Sequence, residues 1–242
     1  ALRTRGARAR YALLYTQAQD KNYIDETNDS LISVATNYYL HHGDVRNRFL
    51  SYYYKGRVFY NAGDYLHAML NYSEAETLVP DLQDDYYAGL LYSQLGDIYL
   101  KYIDFPKSLE SYQKACMYYE QADKESHHAY ALLDQANIFW KMNKYDDCIR
   151  LYSSALIEAD KLQDDVLKRI ALGELFMVYM EQGNIEKSHT LFNKLDDNYK
   201  YWKGSAKFRS SIAEYHAQMG DSENAECCMK QAWIKAFNVQ DS

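Results

Sequence analysis

The chain has 242 residues, of which 48% are hydrophobic, only 2 are Pro and 10 are Gly, and its formal charge is −7. It is long enough to bury a sizeable core and poor in turn formers, so composition alone favours long helices. Arg3, Arg5, Arg8 and Arg10 meet no acid within the first ten residues, so the remainder is more acidic still and a poor electrostatic match to nucleic acid.

No apolar run reaches the length needed to cross a bilayer, so no direct membrane insertion is expected of these residues. The sequence starts at Ala1 without a Met and reads as a trimmed piece of a longer chain. In chain order, "RYALLYTQAQDKNYID" and "DSLISVATNYYLHHGD" read as a degenerate helix pair with apolar positions at Leu13, Leu14, Leu31, Ile32 and Val34. Residues 1–48 are therefore expected to cap the N-terminal end.

From residue 49 onward the chain repeats. Shifting the sequence by about 40 residues aligns segments that begin at Tyr52, Tyr92, Leu132 and Leu172, and a fifth begins at Arg209. One column reads Gly56, Gly96, Ala136, Phe176, Ala213, and three residues later Phe59, Tyr99, Phe139, Tyr179, His216. A small residue beside an aromatic at helical spacing predicts a tight helix crossing. Phe176 breaks the small column and predicts altered packing there.

Next come turn positions Gly63, Ile103, Asn143, Gly183 and Gly220, then Asp64, Asp104, Lys144, Asn184 and Asp221, mostly capping types. A first helix ends and a second begins there. The second helix carries Ala68, Ser108, Cys148, Ser188, Ala225, then Tyr72, Tyr112, Tyr152, Phe192, Met229, then Ala75, Ala115, Ala155, Leu195, Ala232, which form one apolar face.

The tetrapeptide LQDD occurs at Leu82–Asp85 and again at Leu162–Asp165, with ADKE at Ala122–Glu125 in the equivalent place. Each precedes a first helix, so these aspartates, like Asp146-Asp147 and Asp196-Asp197, read as helix starts or loops. One Asp of each LQDD is expected to cap its helix.

Cys116, Cys148, Cys227 and Cys228 offer no metal spacing and read as packed free thiols. The neighbours His41-His42 and His127-His128 point about 100° apart on a helix and make no two-ligand face. No P-loop, dinucleotide glycine motif, HExxH, GxSxG or EF-hand loop occurs. A non-enzymatic protein with no cofactor and no metal site is expected.

The small/aromatic, Gly-Asp, Ala, aromatic, Ala pattern resembles the tetratricopeptide repeat (TPR) over about Phe49 to Phe237. The resemblance implies an all-α, right-handed superhelical α-solenoid of antiparallel helix pairs. Residues 49–242 would form five such repeats, continuous with the cap as a single domain. The N-terminal phrases and "GRVFYNAGDY" are similar to envelope-associated TPR proteins of Bacteroides-type bacteria. That resemblance implies a periplasmic or cell-envelope location, with a cytoplasmic one as the alternative.

A superhelix of helix pairs has a concave wall lined by first helices. The outward column Arg57, Asp97, Asn137, Met177, Glu214 is the candidate binding wall. Four residues on, Asn61, Lys101, Lys141, Glu181 and Gln218 share its face, and Tyr53, Tyr54, Tyr60 and Trp140 add aromatic surface. Amides, aromatics and a gradient from basic near Arg57, Lys101 and Lys141 to acidic near Glu174, Glu181 and Glu214 suit a protein or extended peptide.

Two further readings stand beside that one. The domain is a ligand-responsive regulator of a membrane-linked signalling protein, or it is a structural module that self-associates. On "AECCMKQAWIKAFNVQ" the stripe Cys228, Met229, Ala232, Trp233, Ala236 lacks a polar cap, so a homo-oligomer through this helix, or a longer natural chain, is expected.

Overall fold

The computed structural model describes residues 4–195 and 206–238, and within these every regular element is helical. In order they are α1 (Arg5–Lys21), α2 (Ser30–His42), α3 (Val45–Asn61), α4 (Tyr65–Glu76), α5 (Asp85–Lys101), α6 (Phe105–Gln121), α7 (Glu125–Lys141), α8 (Tyr145–Leu162), α9 (Asp165–Glu181), α10 (Ile185–Phe192), α11 (Ala206–Gln218) and α12 (Ser222–Asn238). A short 3-10 turn at Val79–Asp81, containing Pro80, follows α4. Asp196-Asp197 lies outside the described residues. The helices gather into two compact units, residues 1–131 and 132–242, whose boundary falls inside α7.

One turn, repeated, joins the helices of each pair. Gly63, Ile103, Asn143, Gly183 and Gly220 all have positive φ, between 58° and 78°. In the first copy Gly63 N–H donates to Tyr60 O at 3.0 Å and Asp64 N–H to Phe59 O at 2.9 Å, and the other four copies repeat both bonds. This is a Schellman end in which the residue after the left-handed position is already the cap of the next helix. Asp64, Asp104 and Asn184 accept the N–H three residues on, and Asp221 accepts that of Asn224, whereas Lys144 makes no such bond.

A β-branched residue is a poor occupant of a left-handed position. Ile103 sits there at φ +60° with 72% of its surface exposed, so it packs on little. Ile103→Gly is expected to raise stability by about 1 kcal/mol, which is roughly 2–4 °C in melting temperature for a chain of this size. A fall in melting temperature would mean that the side chain packs more than its exposure shows.

LQDD and ADKE likewise place a left-handed residue two positions before the next first helix, and in both LQDD copies the Asp that follows is the cap. Gln83, Asp123 and Gln163 have positive φ, Asp84 accepts from Tyr87 N–H at 3.3 Å, and Asp164 accepts from Val166 and Leu167 N–H at 3.0 Å each. Asp164→Ala is expected to cost about 1 kcal/mol of stability in thermal unfolding, with Asp165→Ala nearly silent.

Within a pair, the crossing is set by ring against backbone. A Cβ built on Gly96 would lie 2.8 Å from Tyr112 Cε1, and Ser108 Oγ donates to Gly96 O at 2.8 Å. Tyr72, Tyr152, Ala68, Cys148 and Ser188 are fully buried, so the second-helix columns form the inner seam. In the fourth copy α10 has only eight residues, and Phe176 fills the space beside it with Phe192, Phe208 and Tyr215 at ring distances of 5.8–6.1 Å.

In the N-terminal pair Leu13 and Ile32 are buried, but Leu14 and Val34 are exposed, at 51% and 41%. The seam is thus narrower than the apolar positions imply, and Ala9, Ala12 and Ala35 complete it. At the other end Ala232 is buried, whereas Met229 and Trp233 are exposed. Among the described residues no helix is long and apolar enough to cross a membrane.

Candidate functional site

In the first unit two of the candidate wall residues, Arg57 and Asp97, are joined in a polar network through Gln94. Arg57 on α3 donates from Nε to Asp20 Oδ1 on α1 at 2.8 Å and from Nη1 to Gln94 Oε1 on α5 at 2.7 Å. Tyr72 Oη also donates to Gln94 Oε1, at 3.2 Å. Three successive first helices are tied through one guanidinium, whose fork geometry suits two acceptors at once.

Asp97 accepts from Tyr112 Oη at 2.6 Å. Burial pushes its carboxyl above the usual range, against the hydroxyl bond and the charges of Arg57 and Lys101. Asn61 donates to Glu26 O at 3.4 Å, and Lys101 is exposed with Nζ 5.6 Å from the Tyr65 ring centroid. Tyr60 is half-buried, and that burial pushes its hydroxyl up to about 12.

Tyr53 and Tyr54, expected on the open wall, are core residues. They are 3% and 1% exposed, and Tyr53 packs among Phe49, Tyr54, Tyr72 and Tyr87. The face of α3 that carries them turns toward α4 and α5. Both rings supply packing area rather than contact surface.

In the second unit Asn137, Trp140 and Lys141 of α7, Asn143 of the turn, Glu174, Met177 and Glu181 of α9 and Lys207 of α11 line a pocket of about 360 Å³. Five of these are candidate wall residues. Tyr152 Oη donates to Asn137 Oδ1 at 2.6 Å, which leaves the amide Nδ2 as the group offered to a ligand. Trp140 Nε1 donates to Glu181, Lys207 Nζ lies 2.8 Å from Glu181 Oε1, and the same ammonium sits 3.7 Å from the Trp140 ring centroid. The ring thus already holds one cation on its face.

Met177, expected to face outward, is 4% exposed and belongs to the cluster of Leu172, Phe176, Met180 and Ile212, touching the pocket only as its floor. The second-helix column explains this. Tyr112 and Tyr152 carry hydroxyls that hold Asp97 and Asn137, while Phe192 stands at the equivalent place in the fourth copy and packs against the cluster of Met177. Glu214 is exposed and accepts from Gln218 Nε2 at 3.3 Å, outside the pocket.

Column reading passed over Asp20, Gln94 and Lys207. Asp20 and Gln94 each lie 37 residues from Arg57, close to one period, so complementary residues one repeat apart on first helices are the signal that finds them.

The fold is that of the tetratricopeptide repeat. The chain is similar to a signal-transduction ATPase with numerous domains and a tetratricopeptide repeat sensor from Pyrococcus horikoshii, with TM-score 0.77 and 14% identity over 98% of this chain and 37% of that one. It is also similar to NprR in complex with its cognate peptide NprX, with TM-score 0.66 and 16% identity over 96% and 69% of the two chains. Response regulator aspartate phosphatase E of Bacillus subtilis (strain 168) is 23% identical over 233 residues. The match covers 77% of this chain, which spans 60% of that relative's length. No protein-family model matches.

Of the four cysteines read as packed thiols, Cys116 and Cys148 are packed, Cys228 is partly so and Cys227 is not, because it lies on the open side of α12. Burial pushes the Cys148 thiol up to about 12. Tyr86 Oη and His127 Nε2 are 3.3 Å apart, and burial, then Lys124, holds His127 below the usual histidine range. Among the described residues no group of three or more His, Cys, Asp or Glu is gathered as a metal would need.

Proposed function

We propose that the chain binds an extended peptide or protein segment along the faces of its first helices, with no bond made or broken. The observation that carries this reading is Asn137, a carboxamide fixed by Tyr152 at the edge of a pocket with an aromatic wall and charged rim. An amide so oriented pairs with the repeating backbone of any extended segment, while neighbouring side chains select its sequence. NprR, a structural neighbour, is seen with a cognate peptide, which agrees with such use of the fold. Its place as the sensor or interaction part of a longer bacterial envelope protein rests on the sequence phrases quoted above.

Selection from a random heptapeptide library, followed by fluorescence anisotropy on the enriched peptides, tests the reading. Asn137→Ala is expected to weaken binding about tenfold, the loss of one or two hydrogen bonds to the ligand, and to lower the melting temperature by a few degrees because it also orphans the buried Tyr152 hydroxyl. If no sequence is enriched, or if affinity ignores this substitution, the wall is not a peptide site.

A further inference from the structure

Glu174 lines the α7–α9–α11 pocket and, among the described residues, makes no hydrogen bond or ion pair. Burial pushes its carboxyl up to about 7, opposed only by the charge of Lys207. Lys207 is itself committed to Glu181 and to the Trp140 face, and Lys141, the other cation of the lining, is exposed. Glu174 keeps part of its exposure, but partial withdrawal of an unpartnered carboxylate from water still has a cost, and a cation arriving from outside offsets it.

The walls beside it suit the rest of such a ligand. Trp140 forms an apolar wall and Met177 the floor against which a methylene stem can lie, with Lys207 taking one face of the ring. An anionic ligand would instead face both Glu174 and Glu181 and gain only Lys141 and an already paired Lys207.

We propose that this pocket is a subsite for one cationic side chain, lysine or arginine, of the bound peptide, with Glu174 as its counter-charge and Asn137 Nδ2 holding the adjacent backbone carbonyl. The assignment rests on the peptide-binding reading above and names the peptide class that it selects.

Two N-acetylated random heptapeptide libraries, one complete and one lacking Lys and Arg, separate the two levels. Binders are expected from the complete library alone, with Lys or Arg fixed at one position. An enriched peptide free of His is expected to bind about tenfold more tightly at pH 8 than at pH 6, as Glu174 ionises, and Glu174→Gln is expected to flatten that profile.

The free protein gives a second readout. A carboxyl whose folded value is raised is stabilising while protonated and loses that contribution as pH rises through about 7. Glu174→Gln is therefore expected to raise the melting temperature at pH 8 while weakening binding. Equal enrichment from both libraries, or an unchanged pH profile in Glu174→Gln, overturns the subsite and leaves peptide binding standing. No enrichment from either library overturns the peptide-binding reading itself.

Discussion

Tyr72→Ala is expected to cost about 3–5 kcal/mol, the range for emptying a fully buried aromatic site, and to lower the melting temperature by roughly 10 °C or more. Its ring is 0% exposed, packs 6.0 Å from that of Tyr53 and ends in a bond to Gln94. Gly56 faces the same ring, and a Cβ there would meet Tyr72 Cδ1 at 2.5 Å and Cζ at 3.0 Å. Gly56→Ala alone is expected to lose about 1–2 kcal/mol, because overpacking outweighs the roughly 1 kcal/mol gained in helix propensity. In the Tyr72→Ala background the sign should reverse, since the added methyl then meets empty space and only the propensity gain remains. Chemical denaturation of the four proteins measures this. A penalty for Gly56→Ala that persists without the ring would place the constraint in the backbone and not in the crossing.

The parts of the fold written locally were legible in the sequence. A left-handed residue followed by a capping side chain is a statement about two adjacent positions, so Gly63-Asp64, Gly183-Asn184 and Gly220-Asp221 announced their turns. Ile103 was found only because its four repeat partners were, since nothing in isoleucine itself favours positive φ. The site was less legible, because exposure depends on neighbours from other repeats. Spacing puts Tyr53 and Arg57 on one helical face, but α5 brings Tyr87 against the first and Gln94 to the second. Glu174 carried no local sign of its lack of a partner, which follows from Lys207 on α11 choosing Glu181.

Arg57→Ala is expected to cost about 2–3 kcal/mol, toward the lower end for a broken ion pair because the side chains of Arg57 and Asp20 keep 22% and 21% of their exposure. The loss comes chiefly from the Asp20 carboxylate, left without its guanidinium, since the Gln94 carbonyl keeps the Tyr72 hydroxyl. Arg57→Lys is expected to recover about half, because an ammonium replaces the charge but does not span both acceptors. In a double-mutant cycle Asp20→Ala should lose most of its effect once Arg57 is gone, leaving a coupling of about 1–2 kcal/mol. Amide exchange at the C-terminal end of α1 should quicken in either single variant, since this contact fastens α1 to α3. If binding of an enriched peptide fell while stability and exchange stayed at wild-type values, Arg57 would be a ligand contact and not the clasp of three first helices. The bonds to Asp20 and Gln94 argue for the clasp, because a guanidinium that already satisfies two acceptors on neighbouring helices has little left to offer a ligand.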